Sequence, residues 1–173
     1  YKTNGGTAAI SQFAKLAAQS LHALDSNLIV SCSVMPETTS NAYYYGQDVS
    51  AISSYMDVVV PMIYNVNYGK STSWISTITK WFIDNTKGAQ IWAGLQGYAS
   101  DDNVVKLSSS EITKDAQAAV TAKAAGVVIF RWGISNIVNY NSLTGKTDAG
   151  TISSPSTEGS VTLANVLAAA NTR

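Results

Sequence analysis

Short apolar segments alternate with helical segments along most of the chain, and this alternation constrains the fold more than any other feature. The helical segments repeat apolar residues every three or four positions, whereas the segments between them are almost continuously apolar, as in strands buried on both faces. Strict alternation of this kind produces parallel βαβ units, so the predicted class is α/β. We predict helices over residues 7–24, 49–55, 73–85, 108–123 and 136–140, and strands over residues 28–34, 57–64, 90–95 and 126–132.

Large polar or aromatic residues come at the carboxyl end of every predicted strand: Glu37, Tyr64, Gln96 with Tyr98, and Arg131 with Trp132. Four strands fit either a small open sheet or half of a closed eight-stranded barrel. A (β/α)8 (TIM) barrel binds its ligands at this rim. An open nucleotide-binding sheet would instead need a glycine-rich phosphate loop, which the sequence lacks. We therefore predict half of a (β/α)8 barrel.

Composition argues against several classes of function. Eleven basic and eleven acidic side chains give zero formal net charge, without the basic excess of a nucleic-acid-binding protein. No apolar run approaches the roughly 18 residues that a membrane span needs. The single cysteine, Cys32, cannot form an intrachain disulfide, and we expect it in the core. No His/Cys cluster suits zinc, and we expect neither a metal nor a cofactor.

Glu37 is the only carboxylate placed just beyond the end of a predicted strand. Cleavage of a glycosidic bond uses two carboxyl groups, about 5–5.5 Å apart for retention of configuration and about 6.5–9.5 Å apart for inversion. Glu37 is either one of such a pair, a ligand of sugar hydroxyls, or a loop residue that bonds to the next two threonines. Tyr64 is the second catalytic candidate, because its phenol would donate a hydrogen bond to an oxocarbenium-like centre or a carbonyl. Packing at the barrel mouth is the alternative.

Six further residues are predicted to bind the substrate. The indole of Trp132 offers a flat apolar surface to a sugar ring. Arg131 either holds a carboxylate, in the substrate or in the other half of the barrel, or forms an ion pair inside the barrel. The full set lies at strand ends or in the loop after the first strand: Tyr45, Met62, Gln96, Tyr98, Arg131 and Trp132.

Composition also divides the chain into segments. We expect the half-barrel over residues 1–143, followed by a flexible linker over residues 144–160, which are rich in Thr, Gly, Ser, Asp and Pro. Residues 161–173 look like the first turns of a new helix. The chain opens on a loop sequence without Met or a signal peptide, and is expected to be a piece of a longer protein.

Three strand segments resemble glycoside-hydrolase-like (β/α)8 barrels of the glycosidase type. The similarity is to barrel strands six, seven and eight, for residues 57–64 (DVVVPMIY), 92–98 (WAGLQGY) and 126–133 (GVVIFRWG) respectively. Residues 28–37 would then be strand five. The resemblance thus implies the C-terminal half of a (β/α)8 barrel, with barrel strands 5–8 in this chain. The resemblance implies that the key carboxylates lie at the end of strand four, in a segment of the D-x-x-x-D-Y type. That strand would precede Tyr1, so the chain alone is expected to be inactive.

Residues 161–170 (VTLANVLAAA) resemble the start of a pseudomurein-binding repeat of methanogen surface proteins. The resemblances together imply an extracellular, cell-wall-associated glycosidase acting on a polysaccharide such as pseudomurein glycan. Its other partner would be the N-terminal half of the barrel, in the same or another chain. The rival hypothesis is a non-catalytic carbohydrate-binding or structural envelope protein. A third is an open α/β domain complete in itself.

Overall fold

The computed structural model describes residues 4–139 and 143. The described elements belong to one compact unit, Tyr1–Asn139, and the predicted linker and terminal segment lie outside the described residues. The alternation of helices and parallel strands confirms the predicted α/β class. In chain order the elements are α1 (Asn4–Leu24), β1 (Ser31–Val34), a 3-10 helix (Thr38–Ser40), α2 (Asn41–Tyr45), α3 (Val49–Ser53), β2 (Val58–Pro61), α4 (Thr72–Asn85), β3 (Gln90–Gln96), α5 (Ser109–Thr121) and β4 (Gly126–Phe130).

The start of α1 and the segment after β1 differ from the prediction. α1 begins at Asn4, three residues before the predicted start at Thr7. Gly6 is helical where a loop was expected, and it lies against Gly46, at which a Cβ atom would be 3.1 Å from the Gly6 carbonyl oxygen. Gly46 ends α2 with φ 68°, a backbone conformation that costs glycine little. Tertiary packing thus overrides the local preference of glycine for loops.

No helix forms over residues 136–139, where one was predicted, and Tyr140 lies outside the described residues. Val138 is buried, and hydrogen bonds join the residues around it to neighbouring segments. The side-chain amide of Asn136 donates to the Leu107 carbonyl at 2.6 Å, and the Asn139 N–H donates to Thr113 Oγ1 at 2.9 Å. The segment therefore docks along the start of α5 in a non-helical conformation.

The four strands form one parallel sheet in the order β1-β2-β3-β4. Each strand therefore pairs with the strand that precedes it in the chain, with Ser31 opposite Val58 and Leu95 opposite Ile129. Parallel connections are right-handed in nearly all proteins, so a sequential order puts the connecting helices on one face. In agreement, α4 and α5 pack against each other and both contact β3.

The two faces of the sheet are covered unequally. On the face that carries the helices, Val59, Ala93 and Leu95 are almost completely buried. Side chains alternate between the faces of a strand, and on the opposite face Val128 and Phe130 are 37% and 41% exposed. Parallel sheets are normally covered on both faces. Within the described part of the chain, the second face of this sheet stands open at β4.

α1 carries apolar residues on two sides. The small residues Ala14 and Ala18 are buried, whereas Phe13 is 73% exposed and Leu24 is also exposed. A groove of about 350 Å³ runs between α1 and the outer edge of β1. Cys32 lines this groove and is half-buried rather than in the core, and burial raises the pKa of its thiol to about 11. No helix in the described part of the chain has the length and apolarity needed to cross a bilayer.

The single histidine links α1 to the amino end of β2. His22 Nε2 lies 3.0 Å from Asp57 Oδ2 and 3.1 Å from the Leu28 carbonyl oxygen. The Val30 N–H also donates to Asp57 Oδ2, at 2.7 Å. This backbone hydrogen bond, with a smaller contribution from His22, lowers the pKa of Asp57. The carboxylate thus holds the turn between α1 and β1.

We expect Asp57 to stabilise the fold above the ordinary carboxyl pKa of about 4, and to lose this contribution as the pH falls through its lowered value. The variant Asp57→Asn should therefore have a lower free energy of unfolding than wild type at pH 7, with the difference shrinking in acid. Urea denaturation at a series of pH values measures it. Asp84→Asn, which removes an exposed partner of Lys80, is the matched control. A difference that stays constant down to about pH 2 would contradict this role.

Candidate functional site

The carboxyl ends of the four strands, which lie at one edge of the parallel sheet, carry most of the predicted site residues. Glu37 and Tyr64 each follow the end of a strand by three residues, and Gln96 is the last residue of β3. Arg131 and Trp132 follow β4 directly. This edge is where ligands bind in α/β folds built from parallel strands.

Glu37 is held between two phenols. Tyr68 donates to Glu37 Oε1 at 2.6 Å and Tyr45 donates to the same oxygen at 3.1 Å. The second oxygen, Oε2, is buried and has no hydrogen-bond partner among the described residues. The side chain does not cap the 3-10 helix that follows it. A buried carboxylate oxygen without a partner is costly, so Oε2 is suited to meet a hydroxyl group of a ligand.

The two phenols stay protonated at neutral pH. Burial, followed by the hydrogen bond and the charge of Glu37, raises the pKa of Tyr68 and of Tyr45. Tyr68 also stacks on Trp74 of α4, with ring centroids 5.2 Å apart. Trp74 is itself half-buried. Tyr68 is thus fixed from both sides as a donor to Glu37.

A cluster of three aromatic rings lies at the same edge of the sheet. The rings of Tyr64 and Phe130 stack with centroids 5.5 Å apart and planes 14° apart. Tyr98 packs against Phe130 at 6.1 Å with a tilt of 58°. Burial raises the pKa of Tyr64 to about 12, so its phenol is a hydrogen-bond donor at neutral pH. Phe130 lies on the open face of the sheet, and the cluster therefore borders that face.

A hydrogen-bond network supports the loop after β2. The buried Gln96 donates to Asn67 Oδ1 at 3.0 Å and accepts from the Asn67 N–H at 3.1 Å. Asn67 and Tyr98 in turn donate to the two carboxylate oxygens of Asp101, at 3.0 and 2.7 Å. Gln96 therefore positions Asn67, next to Tyr68 in the chain. Burial, then Asp101, raises the pKa of Tyr98, and the charge of Arg131 opposes this shift.

The remaining predicted residues are less closely joined to these groups. Met62 is half-buried and lies beside Gly94, at which a Cβ atom would come within 2.9 Å of the Pro61 carbonyl oxygen. Arg131 is exposed and forms no salt bridge with a described carboxylate. Trp132 is 93% exposed and stacks on no other described ring. The structure does not bring Trp132 into the aromatic cluster.

Sequence reasoning missed four contributors to this edge: Asn67, Tyr68, Asp101 and Phe130. Asn67 and Tyr68 follow Tyr64 within one loop, and that proximity could have indicated them. Phe130 is two residues from Val128 in β4, so the alternation of the strand puts both on one face. Asp101 is exposed, yet it accepts two hydrogen bonds. No three His, Cys, Asp or Glu side chains gather as a metal site within residues 4–139.

The raised pKa of Tyr64 predicts a late step in the alkaline titration of the tyrosines. The tyrosine titration of wild type should extend towards pH 12. Tyr64→Phe should lose one ionisation from this late part of the curve, because burial rather than a neighbouring charge is the main cause of the shift. Ultraviolet difference absorbance measures the ionisation of the phenols. A late part of the curve that is unchanged in Tyr64→Phe would contradict the burial of this phenol.

Comparison with known proteins agrees with a glycosidase-type architecture. No curated protein and no solved structure matches the chain. One family model matches residues 1–117, which include β1, β2, β3 and Glu37 with its partners Tyr45 and Tyr68. Because that match covers more than half of its residues, the chain belongs to the family described as a putative glycosyl hydrolase domain.

Proposed function

We propose that the chain supplies half of the active site of a glycosidase built on a (β/α)8 barrel, with Glu37 as one of its two carboxyl groups. The observation that carries this proposal is the state of Glu37. One of its oxygens accepts from two phenols and the other is buried without a partner, at the carboxyl edge of a parallel sheet. Membership of a glycosyl hydrolase family supports the reaction class.

The geometry of Glu37 suits acid–base or nucleophilic work on a glycosidic bond. Tyr45 and Tyr68 fix Oε1, so Oε2 is the atom free to meet the glycosidic oxygen, a water molecule or the anomeric carbon. Tyr64 is proposed as a second catalytic group, because its protonated phenol can donate a hydrogen bond to charge that develops on the sugar. Whether Glu37 acts as nucleophile, general acid or general base depends on its distance from the second carboxyl group.

The aromatic and polar side chains at this edge are proposed to bind the sugar. The stacked rings of Tyr64 and Phe130 offer an apolar surface to one face of a pyranose. Trp132 is available for a neighbouring sugar unit because it is almost fully exposed. The other proposed contacts are Tyr45, Met62, Gln96, Tyr98 and Arg131.

Three features support a closed barrel with the other half supplied by the same or another chain. The strand order is sequential, as barrel closure requires. The face bearing Val128 and Phe130 is open, as expected for a barrel lining that lacks its opposite wall. An apolar groove beside α1 follows the unpaired edge of β1, where a preceding strand would add. We propose that this other half carries the second carboxyl group.

The proposed substrate is a cell-wall polysaccharide such as pseudomurein glycan, and the proposed location is the cell surface. Support comes from the sequence: charged residues make up only 13% of the chain, and residues 161–170 resemble the start of a pseudomurein-binding repeat. The rival function is glycan binding without hydrolysis. Asp101, the other carboxylate at this edge, favours it. Both Asp101 oxygens already accept hydrogen bonds, so this residue is not free to act as the second carboxyl group of a glycosidase.

Glu37→Gln should lower the release of reducing sugars from isolated cell wall by about 100-fold or more in the full-length protein, the usual effect of removing an acid–base group. Asp84→Asn, on the exposed side of α4, should release sugars at the wild-type rate. Glycan binding by wild type without any release would support the rival function instead. Release that survives in Glu37→Gln would remove Glu37 from the mechanism while leaving the enzyme.

The open face of the sheet should make the isolated 173-residue chain self-associate. Val128→Lys should shift the chain towards monomers in sedimentation velocity, because it puts a charge on that face. Val104→Lys is the matched control, since Val104 is comparably exposed but lies in the loop after β3. A wild-type chain that is monomeric and unfolds cooperatively would contradict the half-barrel and favour a complete open α/β domain.

A further inference from the structure

Glu37 bonds to two phenols, and these two hydrogen bonds differ in length. Tyr68 donates to Glu37 Oε1 at 2.6 Å, within the range of about 2.5–2.7 Å that hydroxyl donors to a carboxylate adopt. Tyr45 donates to the same oxygen at 3.1 Å, which is long for a hydroxyl donor. The bond from Tyr68 is therefore the stronger of the two.

The ring of Tyr68 is held by contacts besides its bond to Glu37. It stacks on Trp74 of α4, with ring centroids 5.2 Å apart and planes 30° apart. The preceding residue, Asn67, is tied to the buried Gln96 of β3 by two hydrogen bonds. Because these supports belong to α4 and β3, Tyr68 would keep its place even if the Glu37 carboxylate moved.

The ring of Tyr45 has looser surroundings than that of Tyr68. Tyr45 is the last residue of the five-residue helix α2. Its ring contact within the described part of the chain is with Tyr44, at a centroid distance of 6.2 Å and a tilt of 54°, and Tyr44 is itself 60% exposed. Tyr45 is thus freer than Tyr68 to turn away from Glu37.

The backbone that follows Glu37 adopts a costly conformation. Thr38 has φ 56°, in the left-handed region that β-branched residues rarely adopt. Such a conformation persists only where surrounding contacts enforce it. The Glu37 side chain does not cap the 3-10 helix that begins at Thr38. Through their hydrogen bonds to its carboxylate, the two phenols instead anchor the residue that precedes this strained position.

We propose that the two phenols divide the work at Glu37: Tyr68 is the positioning residue of the carboxylate, and Tyr45 is the exchangeable donor that turns to the sugar when it binds. Tyr68 keeps Oε1 occupied, so that Oε2 stays available to the reacting bond, and Trp74 supports the ring of Tyr68. The inference rests on the proposed glycosidase function, which makes Glu37 a reacting group. Tyr68 acts only through Glu37, whereas Tyr45 contacts the substrate.

Kinetics of the full-length protein on cell-wall glycan solubilised by sonication separate the two phenols. Tyr68→Phe, which keeps the ring and its stack, should lower kcat at least about tenfold with KM unchanged, because it disturbs the reacting group alone. Tyr45→Phe should raise KM at least about threefold with little change in kcat, because it removes a contact to the sugar. Tyr55→Phe, which removes an exposed phenol beside Lys15, is the control and should change neither constant. Equal losses of kcat in Tyr68→Phe and Tyr45→Phe would overturn the division of work.

Two substitutions of Trp74 test the support of Tyr68. Trp74→Phe keeps an aromatic ring for the stack and should keep kcat within about threefold of wild type. Trp74→Ala removes the stack and should lower kcat at least about fivefold with KM unchanged, as Tyr68→Phe does. Wild-type kcat in Trp74→Ala would overturn the supporting role of the stack.

Urea denaturation of the full-length protein tests the hold on Glu37 without any substrate. Tyr68→Phe should lower the midpoint of unfolding, because it removes a donor from a carboxylate. It should not lower the midpoint further in Glu37→Ala, where the acceptor is already lost. The same decrease in both backgrounds would overturn the positioning role. Absence of sugar release from wild type would sink the proposed glycosidase function instead, and the urea midpoints would still decide whether Tyr68 holds Glu37.

Discussion

Parallel pairing of each strand with its predecessor is the constraint on which the rest of the structure depends. A sequential order sends every right-handed connection over the same side of the sheet, so the helices gather there and the strand ends point to one edge. The same order accounts for the open side at Val128 and Phe130. The sequential strand order thus explains two features. Glu37, Tyr64 and Gln96 gather at one edge of the sheet, and apolar side chains are exposed on one of its faces.

The loop between β2 and α4 joins the parts of the edge to each other. Asn67 bonds to Gln96 and Tyr68 bonds to Glu37. Asn65 and Lys70, in the same loop, line a cleft of about 690 Å³ beside the first turn of α4. Backbone hydrogen bonds fold the loop on itself, and the buried Gln96 ties it to β3 by using both polar atoms of its side-chain amide on Asn67. A glutamine at the end of an apolar strand therefore controls the geometry of side chains on a neighbouring strand's loop.

The order of the elements and the edge at which the site lies could be predicted from the sequence, because apolar periodicity and strand ends are local properties. The partners of Glu37 could not. Tyr68 is 31 residues away in the chain and meets Glu37 only through the pairing of β1 with β2. α2 was missed because it depends on the buried Asn41, whose amide bonds back to the Met35 carbonyl, and asparagine by itself indicates a turn. The start of α1 was misplaced because the residues before Thr7 join the helix, with Gly6 packed against Gly46.

The two-sided character of α1 has a consequence for mutational studies. Its small residues, Ala14 and Ala18, are buried against the described fold. Its large residues Phe13 and Leu24 are exposed, and Phe13 also lines the groove beside β1. Replacing an alanine with a bulky residue would disturb the chain in any setting, since there is no room to absorb it. Replacing Phe13 with a polar residue would be harmless in the isolated chain and damaging in a closed barrel. If the proposed barrel closes, tolerance measured on the isolated chain would understate the effect of substitutions at Phe13.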